Sequence, residues 1–349
     1  MSIPIARPTL RRRDFNSVLS CLVSDLIGPG ALNQELGSLF CREVDAAGGV
    51  CLTSYAAAIG CVLDALGLQA GEAVMLSALA PRVYLSVLEA RGLVPTLLDT
   101  DREKPALPLS EVQKQLAGGA RALLLHYSLG FLPDSQELFR LGLPVVEDVS
   151  QVLGGRWEGR PCGSFGEAGV ASLGPEGMVT AGCGAVAFAR DRRLLKNLQA
   201  SSEKLSPEAL LPDMNAALAI AQLKDLPRFL QRRGEIAAIY QQSVQRSRHG
   251  TFYSEERLPV HFGFPVVLSE GLREARQYAQ KKGVQTAPAF ADAIIATAGS
   301  AAEGERQGDL SGCCPNARDL CWRSLLFPLF PSLTRREVQL VAKVLSTLP

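Results

Sequence analysis

The chain has 349 residues, 47% apolar and 20% charged, and its basic and acidic side chains balance to a net charge of +1. Such a chain can bury the core of one large domain with a smaller one beside it, and its balance excludes the basic footprint of a nucleic-acid partner. Nine cysteines (21, 41, 51, 61, 162, 183, 313, 314, 321) follow no CxxC or Cys/His spacing, so no metal site is expected, and three histidines (126, 249, 261) leave little room for histidine chemistry.

The first fifteen residues lack the apolar core of a signal peptide, and no run nears the ~20 apolar residues of a membrane span. A cytoplasmic chain with reduced thiols, away from the membrane, is expected. From 14 to 26 the apolar residues Phe15, Val18, Leu19, Leu22, Val23 and Leu26 recur at helical spacing, with Arg11–Arg13 on a solvated face. "IGPGALN" breaks that helix, and a second runs through "QELGSLFCREVDAA". Strands are expected in "GGVCLTS", "EAVMLSA", "VPTLLDT", "ARALLLHY", "LPVVEDV", "AGVASLG" and "AVAFARD", and helices over 54–67, 81–91, 109–117 and 134–141. Most of the strands are unbroken apolar runs, as in a parallel sheet covered on both faces. A long helical region at 213–247, interrupted at Pro227, leads into a small α+β part, and 291–312 reads as a loose polar loop. Domains of 1–230 and 231–349 are expected.

Four blocks carry a family resemblance: "LTSYAAAIGCVLDALGLQAGEAVMLSALA", "GLPVVEDVSQVLGGRWEGRPCGSFGEAGVASL", "LLPDMNAALAIAQLKDLPRFLQRRGEIAAIY" and "NARDLCWRSLLFPLFPSLTRREVQLVAKVL". In order and content they resemble the DegT/StrS nucleotide-sugar aminotransferases, which are pyridoxal phosphate (PLP) enzymes of fold type I. The resemblance implies a three-layer α/β/α large domain with a mainly parallel sheet, a small C-terminal α+β domain, a homodimer and a nucleotide-sugar ligand.

In that family a lysine holds PLP as an imine and shuttles the proton, an aspartate faces the pyridine nitrogen, and a Ser-Gly-Thr helix start binds the phosphate. By the resemblance Asp148 is the pyridine partner, with an acid exposed at a strand end as its structural alternative. Gln151 lies near the ring, or is a capping amide. The phosphate cradle becomes Ser54-Tyr55-Ala56, which has lost a hydroxyl and gained a bulky ring. Ser172 could reach the phosphate, or is a plain strand serine. Glu208 falls near an asparagine that the partner chain supplies. Pro81 replaces the stacking aromatic, with Tyr84 as a substitute or a core residue.

The lysine position in "ASLGPEGMVTAGCGA" is Gly177, which can neither form an imine nor carry a proton. No residue is therefore assigned a catalytic role. Lys196 and Lys204 are expected on the surface. Two readings stand. In one the chain is a family member with a degenerate site, without classical transamination, serving as a binding, regulatory or partner subunit in sugar metabolism. In the other it acts on a nucleotide-linked keto-sugar with PLP or its amine (PMP) held noncovalently. A different reaction using Glu176, Asp148 and His126 is a weaker third.

Overall fold

The computed structural model describes residues 2–252, 259–297 and 313–349. The apolar runs become β1 (Gly48–Leu52), β2 (Ala73–Ser77), β3 (Val94–Leu98), β4 (Ala122–His126) and β5 (Val145–Asp148). A small hairpin follows, β6 (Arg156–Trp157) with β7 (Arg160–Pro161), then β8 (Ala168–Ser172) and β9 (Ala185–Ala189). All but the hairpin strands join one seven-stranded sheet in the order β1-β9-β8-β5-β4-β2-β3. The neighbours from β3 to β8 pair in parallel, whereas β9 runs against both β8 and β1.

Alternation along each strand sends side chains to two separate cores. Leu123, Leu125, Val145, Val186 and Phe188 enter one, with Leu36 and Phe40; Leu124, Val146, Ala185 and Ala187 enter the other, with Ile59 and Leu63. Helices α1 (Arg12–Val23), α2 (Ala31–Glu43), α3 (Tyr55–Leu66), α4 (Val83–Glu89), α5 (Leu109–Ala117), α6 (Arg192–Ser202) and α7 (Asp213–Lys224) belong to this part of the chain. With helices over both faces the expected three layers are present.

Then α8 (Leu226–Val244) runs between the two sheets. Leu226 is buried in the first core and Phe229 packs under the Arg11 guanidinium, while Ile236, Ala237, Tyr240 and Val244 enter a third core. The expected division at 230/231 lies within this helix. Beyond it come β10 (Gly250–Thr251), β11 (Phe264–Val267), α9 (Leu272–Lys281), β12 (Ala287–Pro288), α10 (Ile294–Thr297), α11 (Pro315–Arg323), β13 (Ser324–Phe327) and α12 (Arg335–Ser346). These four strands form an antiparallel sheet ordered β10-β11-β13-β12.

Several local expectations are corrected. The helical region 213–247 breaks at Asp225, and Pro227 sits in the first turn of α8, where its missing N–H costs nothing. Residues 136–140 form a 3₁₀ turn rather than an α-helix. Arg11 and Arg13 are not merely solvated, because both pair with Asp225, at 3.2 and 2.9 Å. Residues 291–297 are no loose loop: Ala293 bridges Pro81, and the N–H groups of Ile294 and Ile295 donate to the carbonyls of Ala80 and Ala78 at 3.0 and 3.1 Å. Backbone pairing, which composition does not report, fixes them. The rest of that segment, 298–312, lies outside the described residues.

Asp148 and its neighbour Glu147 point to opposite faces of the sheet. Glu147 is fully buried and accepts from the Tyr127 hydroxyl and from the N–H groups of Gly163, Phe165 and Gly166, at 2.8, 2.7 and 2.6 Å. Burial raises its carboxyl above the usual range, against the opposing pull of those donors. It fastens the loop that leads into β8. Glu147→Ala strands these donors without an acceptor and is expected to cost about 3–5 kcal/mol, read as a lower urea midpoint.

Candidate functional site

In an open α/β sheet the polar groups that can meet a ligand gather at the carboxyl ends of the strands. Here that edge carries His126 at the end of β4, Asp148 at the end of β5 and Ser172 at the end of β8, with the start of α3 opposite. His126 and Asp148 are register partners across β4 and β5.

The centre of this edge is closed by the chain's own side chains. One oxygen of Asp148 accepts from the hydroxyls of Tyr55 and Tyr84, the latter at 2.6 Å, and lies 2.7 Å from His126 Nδ1. The other accepts from the backbone N–H of Ser150 at 3.0 Å and from the Ser150 hydroxyl. Asp148 is 1% exposed. Burial alone would raise its carboxyl, but the His126 contact, Ser150 and Tyr55 outweigh it and hold the group down at about 2. An ionised carboxylate only accepts, so His126 Nδ1 carries the hydrogen in this contact. Burial, and then the Asp148 charge, push the hydroxyls of Tyr55 and Tyr84 well above the usual tyrosine range, so both stay protonated donors.

These donors exceed the roughly four lone-pair positions of a carboxylate. The Tyr55 and Tyr84 hydroxyls also meet each other at 3.3 Å, and the Tyr84 ring stands edge-on to His126. The cluster is therefore a packed, saturated network.

The other expected site residues surround it, and most of them bond within the chain. Ser54 is the N-cap of α3 and accepts from the Ala57 N–H at 3.3 Å. Tyr55 opens the helix and reaches inward to Asp148, while Ala56 is half-buried beside the second core. Gln151 accepts through Oε1 from the Leu129 N–H, holding the turn after β4. The Ser172 N–H donates to Ser150 Oγ at 2.8 Å, and its hydroxyl accepts from the Gly174 N–H at 3.3 Å. Glu208 is exposed and accepts from Ser206. Lys196 and Lys204 are exposed.

Gly177 lies in the hydrogen-bonded loop between β8 and β9, its N–H donating to Gly174 at 3.1 Å. A Cβ built there falls 2.8 Å from the Val179 carbonyl oxygen and 3.2 Å from that of Gly174. Backbone thus occupies the direction a side chain would take. Pro81 forms an isolated antiparallel backbone bridge with Ala293 of the C-terminal half. Among the described residues no group of three or more His, Cys, Asp or Glu is placed to hold a metal, and no helix is long and apolar enough to cross a membrane.

Sequence reasoning placed Asp148 and weighed Tyr84 and His126, but did not foresee that Tyr55 joins them at one carboxylate. The bulk of Tyr55 at a helix start facing a strand-end acid was the available signal.

The sequence profile of the DegT/DnrJ/EryC1/StrS aminotransferase family matches residues 8–346. The chain belongs to that family. It is 22% identical to the GDP-perosamine synthase of Escherichia coli O157:H7, over 96% of this chain and 95% of that one. Its fold matches a putative sugar aminotransferase, Spr1654, from Streptococcus pneumoniae in its PLP form, with a TM-score of 0.87 at 19% identity over 100% of this chain and 98% of that one. It also matches Helicobacter pylori PseC, an aminotransferase of pseudoaminic acid biosynthesis, with a TM-score of 0.88 at 15% identity over 100% and 99%. The sheet with its helices is the fold-type I architecture.

The depressed carboxyl of Asp148 makes stability depend on pH. A group held below its unfolded value near 4 contributes stability above that pH and loses it as the pH falls toward 2. The drop to about 2 corresponds to roughly 2 kcal/mol. Wild type should therefore exceed Asp148→Asn in urea midpoint at pH 6, with the gap narrowing steadily from pH 5 to pH 3.

Proposed function

We propose that this chain is a DegT-family protein that does not carry out classical transamination, and that it works as a binding, regulatory or partner subunit in nucleotide-sugar metabolism. One observation carries the reading: the carboxylate expected to face a pyridine nitrogen is fully engaged by Tyr55, Tyr84, His126 and Ser150. The residues present do not fit PLP. Asp148 has no lone pair left for a pyridinium N–H, and Tyr55 already brings a phenol ring to it. Ala56 offers the phosphate no hydroxyl. Position 177 has neither an amine nor room for a side chain without moving backbone.

The second reading, an enzyme holding PLP or PMP noncovalently and acting on a nucleotide-linked keto-sugar, draws on Asp148, Gln151 and Ser172. Each is already committed to a bond within the chain. The link to nucleotide sugars rests on family membership and on the likeness to a GDP-perosamine synthase.

The test is to incubate the purified protein with PLP, and separately with PMP, then dialyse, record the spectrum and reduce with borohydride. No stoichiometric retained chromophore and no single reduced lysine adduct are expected. A stoichiometric adduct at one lysine in this cleft defeats the proposal. Gly177→Lys alone is expected to leave the protein colourless, because the added side chain meets the Val179 carbonyl and the Asp148 carboxylate stays occupied.

A homodimer belongs to the same reading. The exposed face of α1 and the turn after it present Phe15, Leu19, Val23 and Leu26 at helical spacing, each more than half exposed, which is the apolar surface this reading assigns to the partner copy. Light scattering should give twice the chain mass, and Leu19→Glu with Val23→Glu should shift it toward the monomer.

A further inference from the structure

On α8, Arg233 is 5% exposed. Its Nη1 donates to the carbonyls of Phe262 and Leu329 at 2.7 and 2.8 Å and more weakly to that of His261 at 3.4 Å. Its Nε has no acceptor, and no carboxylate lies within ion-pair distance among the described residues. Burial lowers the guanidinium to about 10, which still leaves it positive at neutral pH. Neighbouring His261 is held down at about 4, first by burial and then by the Arg233 charge, so it adds no counter-charge and no second cation. Carbonyl dipoles ease a buried cation, but a charge without a counter-ion is the costly arrangement.

Arg233 also lines a cavity of about 70 Å³, bounded by the N-terminal segment at Arg7 and Thr9, the 175–180 loop and the second sheet. A water molecule needs about 10–15 Å³ measured in this way, so the space suits about five heavy atoms. Its other walls include Phe229, Phe262 and Phe330. Thr9 Oγ1 is a second buried polar atom without a partner. Exposed Arg7 and Glu176 bring opposite charges to the rim.

We propose that this cavity binds a small monocarboxylate, its carboxylate on Arg233 and its short apolar tail against the phenylalanines. A planar guanidinium matches a carboxylate by paired N–H donors. One buried cation and apolar walls favour a singly charged acid over phosphate. The site is separate from the Asp148 network and does not require the degenerate-site reading to hold.

Calorimetric titration of the full chain with acetate and propionate, beside inorganic phosphate and chloride at matched ionic strength, tests the idea. Saturable binding of the two acids, tighter for propionate, is expected, with neither phosphate nor chloride competing. Arg233→Gln should weaken it about tenfold or more. Should that variant not fold, Glu176→Gln, on the exposed rim, should tighten binding about threefold by removing a like charge. No saturable heat with either acid, equal competition by chloride, or unchanged affinity in Arg233→Gln or Glu176→Gln overturns the proposal. PLP is absent throughout, so the result is independent of the borohydride outcome.

Discussion

Taking an ionised carboxylate out of water costs several kcal/mol unless donors surround it, and the sheet puts Asp148 in that position. It ends a central strand whose flanks are both covered by helices. Its donors come from separate pieces of chain: Tyr55 from the first turn of α3, Tyr84 from α4, His126 from the adjacent strand and Ser150 from the turn that follows. One charge thereby ties together elements nearly a hundred residues apart. The same bonds that stabilise the ion close the space a ligand would need. Stability and an open cleft are competing demands on one side chain, and in this structure Asp148 makes its bonds within the chain.

Much of the architecture can be read directly from the residues. Runs such as "ALLLH" and "VVED" are apolar without alternation because helices cover both faces, and they form β4 and β5. The reversed direction of β9 is not legible, since "AVAFA" is equally suited to either orientation. Residues 291–297 mislead because small residues suggest a loop, while their order comes from main-chain bonds to the loop after β2. At the site, Asp148 could be found from its strand end and family block. The role of Tyr55 is signalled only by its bulk at a helix start, because the contact itself depends on how α3 is aimed at β5. Arg233 gave no signal: "QRRGE" reads as a charged helix face, and only packing shows that its second arginine turns inward.

Buried carboxylates recur as fasteners elsewhere. Asp213 accepts from the N–H groups of Gly30, Leu32 and Asn33 and so caps α2 from another helix. Asp14 accepts from the Arg11 N–H and from Gln222, joining α1 to α7. Glu147 does the same for the 163–166 loop. Each gives donors from a helix start, a tight turn or a neighbouring helix a carboxyl acceptor supplied by another part of the chain. Asp148 likewise gathers donors from separate pieces of chain, though most of them are side-chain hydroxyls and an imidazole.

The strip at 292–295 limits how the molecule can move. Its bonds to Ala78, Ala80 and Arg82 lace the C-terminal half to the rim of the large sheet, beside the Asp148 network. Swinging the two halves apart about α8 would tear main-chain bonds and uncover Ile294 and Ile295, both buried. Clamshell opening at this seam is thus opposed by main-chain bonds and by the burial of two isoleucines.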